Sequence, residues 1–175
     1  MFRNRTGFVW LCEELGIDYA LKRYERDPET RMAPAEYRAL HPAGTAPVIT
    51  DDDVTLAESG AIIEYLIERH GRGRLKVPPT DAAYPDYLFW FHYAGASFMP
   101  RGMMELRTGG PDAGAMLGKR SAASWAMVEE RLGEVPYFGG DAFSAADIMM
   151  MFALSTMRLF VPRDITGKPN IRAYL

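Results

Sequence analysis

Between His41 and Gly71 the hydrophobic period of the chain changes from two to 3.6, and that change dictates the order of elements there. A proline leads into a short apolar run, Pro47, Val48 and Ile49; the acidic turn Asp51, Asp52, Asp53 follows; Val54 to Ala57 form a second run. Two short runs joined by such a turn read as a β-hairpin. From Ser59 onward Ile62, Ile63, Leu66 and Ile67 recur at helical spacing. Ser59 suits an N-cap and Gly71 supplies a stop. The stretch is therefore strand, turn, strand, helix, with an acid and a hydroxyl, Glu58 and Ser59, where the helix begins.

That junction has two readings. The free N–H groups and positive dipole end of the helix favour a carboxylate, and the Ser59 hydroxyl adds a donor. The Glu58 carboxylate accepts an ammonium group, so a zwitterionic amino-acid head meets both residues. Alternatively Ser59 only caps the helix and Glu58 is a solvated acid. Just upstream, Thr45-Ala46-Pro47-Val48 places a proline at the first residue of a strand, where its missing N–H is tolerated. For this bond trans is the majority state on sequence alone. A cis Ala46–Pro47 peptide would turn the Ala46 N–H and C=O outward, free to pair with an extended peptide as an added strand does.

In their order and spacing, Pro42, Gly44, Pro47, Asp51 to Asp53, Glu58, Ser59, Ala61, Ile62, Tyr65 and Leu66 resemble the N-terminal domain of the glutathione S-transferases. The fold this resemblance implies is an α/β thioredoxin-like N-terminal domain followed by an all-α helical-bundle C-terminal domain. Residues 1–71 form the first, 72–80 a linker and 81–175 the second. The activity it implies is transfer of the glutathione thiolate to a small apolar electrophile, with glutathione as co-substrate and no metal. Thr45, Ala46, Pro47, Glu58 and Ser59 would bind glutathione, with Ala46 offering backbone bonds to its cysteinyl part and Glu58 and Ser59 holding its γ-glutamyl head. A homodimer is implied on the same ground. Two rival readings share the scaffold: a non-catalytic binding module acting through a protein surface, and glutathione-dependent isomerase or peroxidase chemistry.

Composition narrows the partners. A net charge of −3 over 175 residues gives no reason to expect nucleic acid. Apolar residues make up 48% of the chain, enough for a packed core, yet no apolar run approaches the roughly 18 residues of a membrane span. The start does not read as a secretory signal, because Glu13 and Glu14 interrupt its apolar patch. One cysteine excludes an internal disulfide and fits a reducing cytoplasm. The histidines, His41, His70 and His92, lack metal-ligand spacing.

Elsewhere the pattern is mostly helical. Thr6 can cap a helix from Gly7 to Leu15 whose apolar stripe is Val9, Leu11, Cys12 and Leu15, with Gly16 ending it. Cys12 reads as a small core residue. Residues 18–24 alternate well enough for a strand, and a short helix is expected around Pro34 to Leu40. After the Pro- and Gly-rich 72–80, a long helix begins at Asp81 and runs through Phe98, where Pro100 is expected to kink or interrupt it. Thr108 to Gly114 reads as a loop, and 115–132 as a helix. At Phe143-Ser144-Ala145-Ala146-Asp147-Ile148, Ser144 and Asp147 have the spacing of a capping box, with Phe143 and Ile148 as its staple. Both polar residues are expected to serve folding.

The resemblance also identifies what is missing. A first strand, its loop carrying the Ser, Tyr or Cys that polarises the glutathione sulfur, and a final helix have no counterpart here, which suggests a truncated chain. Candidates for the thiol activator are Arg3, Asn4, Arg5, Thr6 and the N–H groups of the first helix. For the wall that receives the electrophile, the family places the first long helix of the helical domain, and the residues expected there are Ser97, Met99, Met103 and Met104. Most of the methionines should be core filler.

Overall fold

The computed structural model describes residues 7–108 and 115–175. They divide into two compact units, one ending at Arg74 and the other beginning at Leu75. The candidate caps and thiol activators between Met1 and Thr6, and the loop expected at 109–114, lie outside the described residues.

In the first unit α1 spans Gly7–Leu15. It stops because Gly16 takes a positive φ of 68°, which costs glycine nothing, and the Ile17 N–H returns to Cys12 O at 2.9 Å. Then α2, Ala35–Arg38, leads to strands β1, Val48–Asp51, and β2, Val54–Ala57. The strands pair antiparallel in the register Val48↔Ala57 to Asp51↔Val54, and Asp52 turns the corner at φ 49°. Helix α3, Ser59–Arg69, follows at once. Val9, Leu11, Cys12 and Leu15 of α1 and Ile62, Ile63, Leu66 and Ile67 of α3 are buried, so the two helical stripes evident in the sequence supply this unit's core. Their approach is close at Gly71, where a Cβ would lie 2.8 Å from Leu15 Cδ1 and 2.9 Å from Ile67 O. The Arg74 guanidinium secures the same end by donating to Glu14 O at 2.9 Å and Leu15 O at 3.3 Å.

Two expectations fail in this unit. Residues 18–24 form no strand. Alternation marks only a side-chain pattern; a strand also needs a ladder partner, and among the described residues the sheet holds only β1 and β2. Ser59 is not the N-cap but the first residue of α3; Glu58 occupies the cap. The chain leaves β2 at Ala57 with Glu58 at φ 72°, ψ 119°, so the helix starts one residue earlier than a serine cap would set it.

In the second unit α4 is Tyr84–Tyr93, α5 Met99–Thr108, α6 Ala115–Glu134, α7 Ala145–Leu154 and α8 Pro169–Tyr174. Helix α4 begins three residues later than expected because Asp81 makes its own turn, accepting the Ala83 N–H at 2.8 Å, and Pro85 then sits in the first helical turn. Pro100 does not end the helix. A π-helical turn, Ala94–Phe98, precedes it, and α5 continues through it. The wider turn accommodates a ring that lacks a donor and would clash with the carbonyl four residues back. Thr108, expected in a loop, is the last residue of α5 and bonds back to Met104 O at 3.0 Å.

Aromatic side chains fill this unit. Trp90 meets Phe138 at 5.0 Å between ring centroids, Phe98 meets Trp125 at 5.1 Å, and Phe138 meets Tyr174 at 5.3 Å. The capping box is present. Asp147, fully buried, accepts the Ser144 N–H and Oγ–H at 2.9 Å each on Oδ2, and the Phe138 N–H (2.9 Å) and Tyr174 hydroxyl (3.0 Å) on Oδ1. Among the described residues no helix is long and apolar enough to cross a membrane.

Candidate functional site

The corner singled out by the sequence is where the β-hairpin ends and α3 begins. The last ladder pair is Val48↔Ala57, and continuing that antiparallel register by one step sets Pro47 across from Glu58. Pro47 and Glu58, with their neighbours Ala46 and Ser59, therefore share one end of the hairpin. The Ala46–Pro47 peptide is cis, the state that sequence alone disfavours. Ala46 is exposed, and among the described residues neither its N–H nor its C=O has a backbone partner. Thr45 is held from behind by the Tyr37 hydroxyl, which donates to Thr45 O at 3.1 Å. Burial pushes the Tyr37 phenol up, so it remains a donor at neutral pH. The Tyr37 ring meets Tyr24 edge-on at 5.0 Å.

Glu58 is the residue of interest at this corner. Its backbone sits at φ 72°, a conformation that costs a non-glycine residue roughly 1–3 kcal/mol and that clusters at ligand-binding sites. Its C=O accepts the Ile62 N–H at 2.9 Å, so the backbone is committed to α3. Its side chain is exposed and caps nothing. The first-turn N–H groups of α3 have no intrahelical acceptor and point toward the same corner. An exposed carboxylate, a serine hydroxyl, free helical N–H groups and an unpaired peptide unit together can hold a ligand with an ammonium group, a carboxylate and an amide.

Beside this corner lies a cavity of about 410 Å3 lined by Thr45, Ala46, Tyr37 and three arginines, Arg26, Arg31 and Arg38. It falls within the range of roughly 300–1,000 Å3 typical of small-ligand pockets. Glu58 and Ser59 do not line it. Arg26 and Arg31 come from the charged connection at 25–34, which sequence patterning alone marks only as a polar link, and Arg38 from α2, the short helix expected there. Asp27 folds that connection into a compact turn: its carboxylate accepts the Thr30 N–H at 2.7 Å and the Glu29 N–H at 3.0 Å, and its N–H pairs with Met32 O. Hydrogen bonds from Thr30 hold the Asp27 carboxyl below its ordinary range. Arg26 then donates to Arg31 O at 2.9 Å. No periodicity in the sequence marks this folding. The accumulation of arginine within 26–38 is the available signal.

The residues expected to receive an electrophile are in the second unit and do not form one wall. Ser97 lies in the π-helical turn and is half-buried; Met99 is half-buried at the start of α5. Met99 and Met103, four apart, share a helix face, whereas Met104 is turned about 100° further round. Met103 is 41% and Met104 55% exposed. Cys12 is buried in the core of the first unit, and burial pushes its thiol up, so it is packing and not a nucleophile. Among the described residues no three metal-ligating side chains gather.

Comparison with known proteins identifies the family and the fold. Residues 7–69 match the family model described as glutathione S-transferase, N-terminal domain. Glutathione S-transferase 3 of Schizosaccharomyces pombe is 30% identical over 168 residues, covering 85% of this chain and 68% of the relative. Glutathione S-transferase 3 of Zea mays is 25% identical over 185 residues, covering 98% of this chain and 82% of the relative. Among solved structures, a glutathione S-transferase from Actinobacillus pleuropneumoniae superposes with a TM-score of 0.84 at 33% identity, covering 97% of this chain and 80% of that one. The two units are thus a thioredoxin-like N-terminal domain and a helical C-terminal domain. From the corner at Pro47 and Glu58 to the helices of the second unit, the chain belongs to the glutathione S-transferase family.

Proposed function

We propose that this glutathione transferase grips the tripeptide at the corner between the hairpin and α3. The γ-glutamyl carboxylate takes the free N–H groups of the first turn of α3 and the Ser59 hydroxyl, and its ammonium group pairs with Glu58. The cysteinyl peptide unit pairs with the Ala46 N–H and C=O, beside Thr45 and Pro47, as an added strand would. The remaining carboxylate of the tripeptide extends into the neighbouring cavity, where Arg26, Arg31 and Arg38 neutralise it. The observation that carries this reading is the placement, one register step apart, of an Ala46 peptide unit without a backbone partner and a Glu58 carboxylate that caps nothing.

Held there, the thiol gives up its proton to solvent water, the thiolate lone pair attacks an electrophilic carbon, a C–S bond forms, and the leaving group departs with the electrons of the broken bond. The electrophile is small and apolar, with Met99 and Met103, which share a helix face, as its contacts. The proposal extends to a homodimer acting in the cytoplasm, on the strength of family membership alone.

Ser59→Ala tests the binding assignment. Losing one donor to a charged group costs about 1.5–3 kcal/mol, which is roughly 10–100-fold in affinity. Titration calorimetry should show glutathione binding weakened by that factor with an unchanged circular dichroism spectrum. Unchanged affinity would remove Ser59, and with it the carboxylate end of the arrangement.

A further inference from the structure

The helical unit contains a second, much smaller cavity, of about 20 Å3, between α5, α6 and the segment 153–163. Four charged side chains line it: Arg101, Glu105, Arg158 and Arg163. Glu105 is 1% exposed, and Arg163 Nη2 donates to both of its oxygens, at 3.0 and 2.7 Å, and to Ser121 Oγ at 2.8 Å. The Arg163 guanidinium also lies 5.5 Å from the centre of the Trp125 ring. Glu105 and Arg163 thus neutralise one another. Arg101 is different. Its partners are the Tyr93 hydroxyl, at 3.2 Å, and Ser124 Oγ, both uncharged. Arg158 Nε is buried and has no hydrogen-bond partner among the described residues.

Arg101 and Arg158, both half-buried, therefore border a small space whose one carboxylate, Glu105, is already paired with Arg163, and one N–H, that of Arg158 Nε, is buried and unsatisfied. A stranded buried donor is costly, more so on a cationic group. The space exceeds the roughly 10–15 Å3 that one water-sized particle needs, and is too small for an organic ligand. A water molecule would satisfy the Arg158 N–H but leave both charges in place. A halide-sized anion would answer both demands.

We propose that this cavity binds one monovalent anion of halide size, chloride or bromide, between Arg158 Nε and the Arg101 guanidinium. The site lies within the helical unit and uses none of the residues assigned to glutathione, so it binds whether or not that assignment holds. An anion bound only by the folded state stabilises it by mass action.

The test combines diffraction and melting. Crystals of the wild-type chain grown in sodium bromide should show an anomalous bromine peak in this cavity. In solution, chloride or bromide should raise the Tm saturably by about 2–4 °C relative to methanesulfonate at equal ionic strength. Arg158→Lys, which keeps the charge and removes Nε, and Arg101→Gln should each abolish the saturable rise. A cavity holding water alone in the bromide crystals overturns the proposal, as does a Tm that follows ionic strength whichever anion is used. If either variant fails to fold, the wild-type bromide crystals decide by themselves.

Discussion

Asp147→Ala removes an acceptor on which four donors converge: the Phe138 and Ser144 N–H groups, the Ser144 hydroxyl and the Tyr174 hydroxyl. All four bonds end on a side chain with no solvent exposure. The two hydroxyls can rotate toward other acceptors, but the two backbone N–H groups are fixed by the chain. Each stranded buried donor costs about 1–3 kcal/mol, so the pair alone sums to roughly 2–6 kcal/mol. That is a large part of the roughly 5–15 kcal/mol that holds a typical domain folded. Burial pushes the Asp147 carboxyl up, and its hydrogen bonds to Phe138, Ser144 and Tyr174 oppose that shift. Burial, then the charge of Asp147, pushes the Tyr174 phenol up, so it stays a donor throughout the neutral range. Urea unfolding followed by circular dichroism at pH 7 measures the loss. Asp147→Ala should lower the midpoint by the equivalent of about 3 kcal/mol, and Asp147→Asn, which keeps the shape and one accepting oxygen, by less. A loss under about 1 kcal/mol for the alanine variant, at unchanged denaturant slope, would refute the claim that this carboxylate organises the start of α7.

Two further substitutions separate binding from folding. Glu58→Gly relieves a backbone held at φ 72° while deleting the proposed ammonium partner. Thermal melting should show no loss of stability and calorimetry a glutathione affinity roughly tenfold or more weaker; a lower Tm would mean that the side chain, and not the ligand, was what the strained backbone served. Asp51 accepts from His70 Nε2 at 2.7 Å and from the Tyr65 hydroxyl at 2.8 Å, and these bonds, His70 first, hold its carboxyl below the ordinary range. Its folded pKa lies below the unfolded value of about 3.9, so its contribution is full above that pH and disappears as the pH falls through the folded pKa. Asp51→Asn should therefore flatten the acid limb of a Tm–pH curve below about pH 4. An acid limb identical to wild type would show that this hairpin-to-helix link does not matter for stability.

Elements defined by their own neighbours are legible in the sequence. The stripe of Val9, Leu11, Cys12 and Leu15, the two short runs around Asp51 to Asp53, and the stripe of Ile62, Ile63, Leu66 and Ile67 each repeat within a few residues, and each forms the expected helix or strand. Ser144 and Asp147 are legible for the same reason, since a capping box closes within four residues. Residues 18–24 mislead because alternation describes which side chains could face a core without supplying the second strand that a ladder requires. Pro100 misleads in the opposite direction: its disruption is absorbed by a π-helical turn upstream, a choice that depends on what α4 and α5 pack against.

The local order of elements and the meeting of Glu58 with Ser59 at a helix start are written in the chain itself, because helix and strand periods, caps and turns act over a handful of residues. That Glu58 occupies the N-cap position of α3 at a positive φ with its side chain making no cap bond, and that Arg26, Arg31 and Arg38 line one cavity beside Ala46, depends on the folded arrangement. So does the gathering of Arg101, Glu105, Arg158 and Arg163 around one small cavity. The two arginine-lined cavities require residues from separate elements to share a small volume, where charge and unsatisfied donors must be balanced together, and no local pattern encodes that balance.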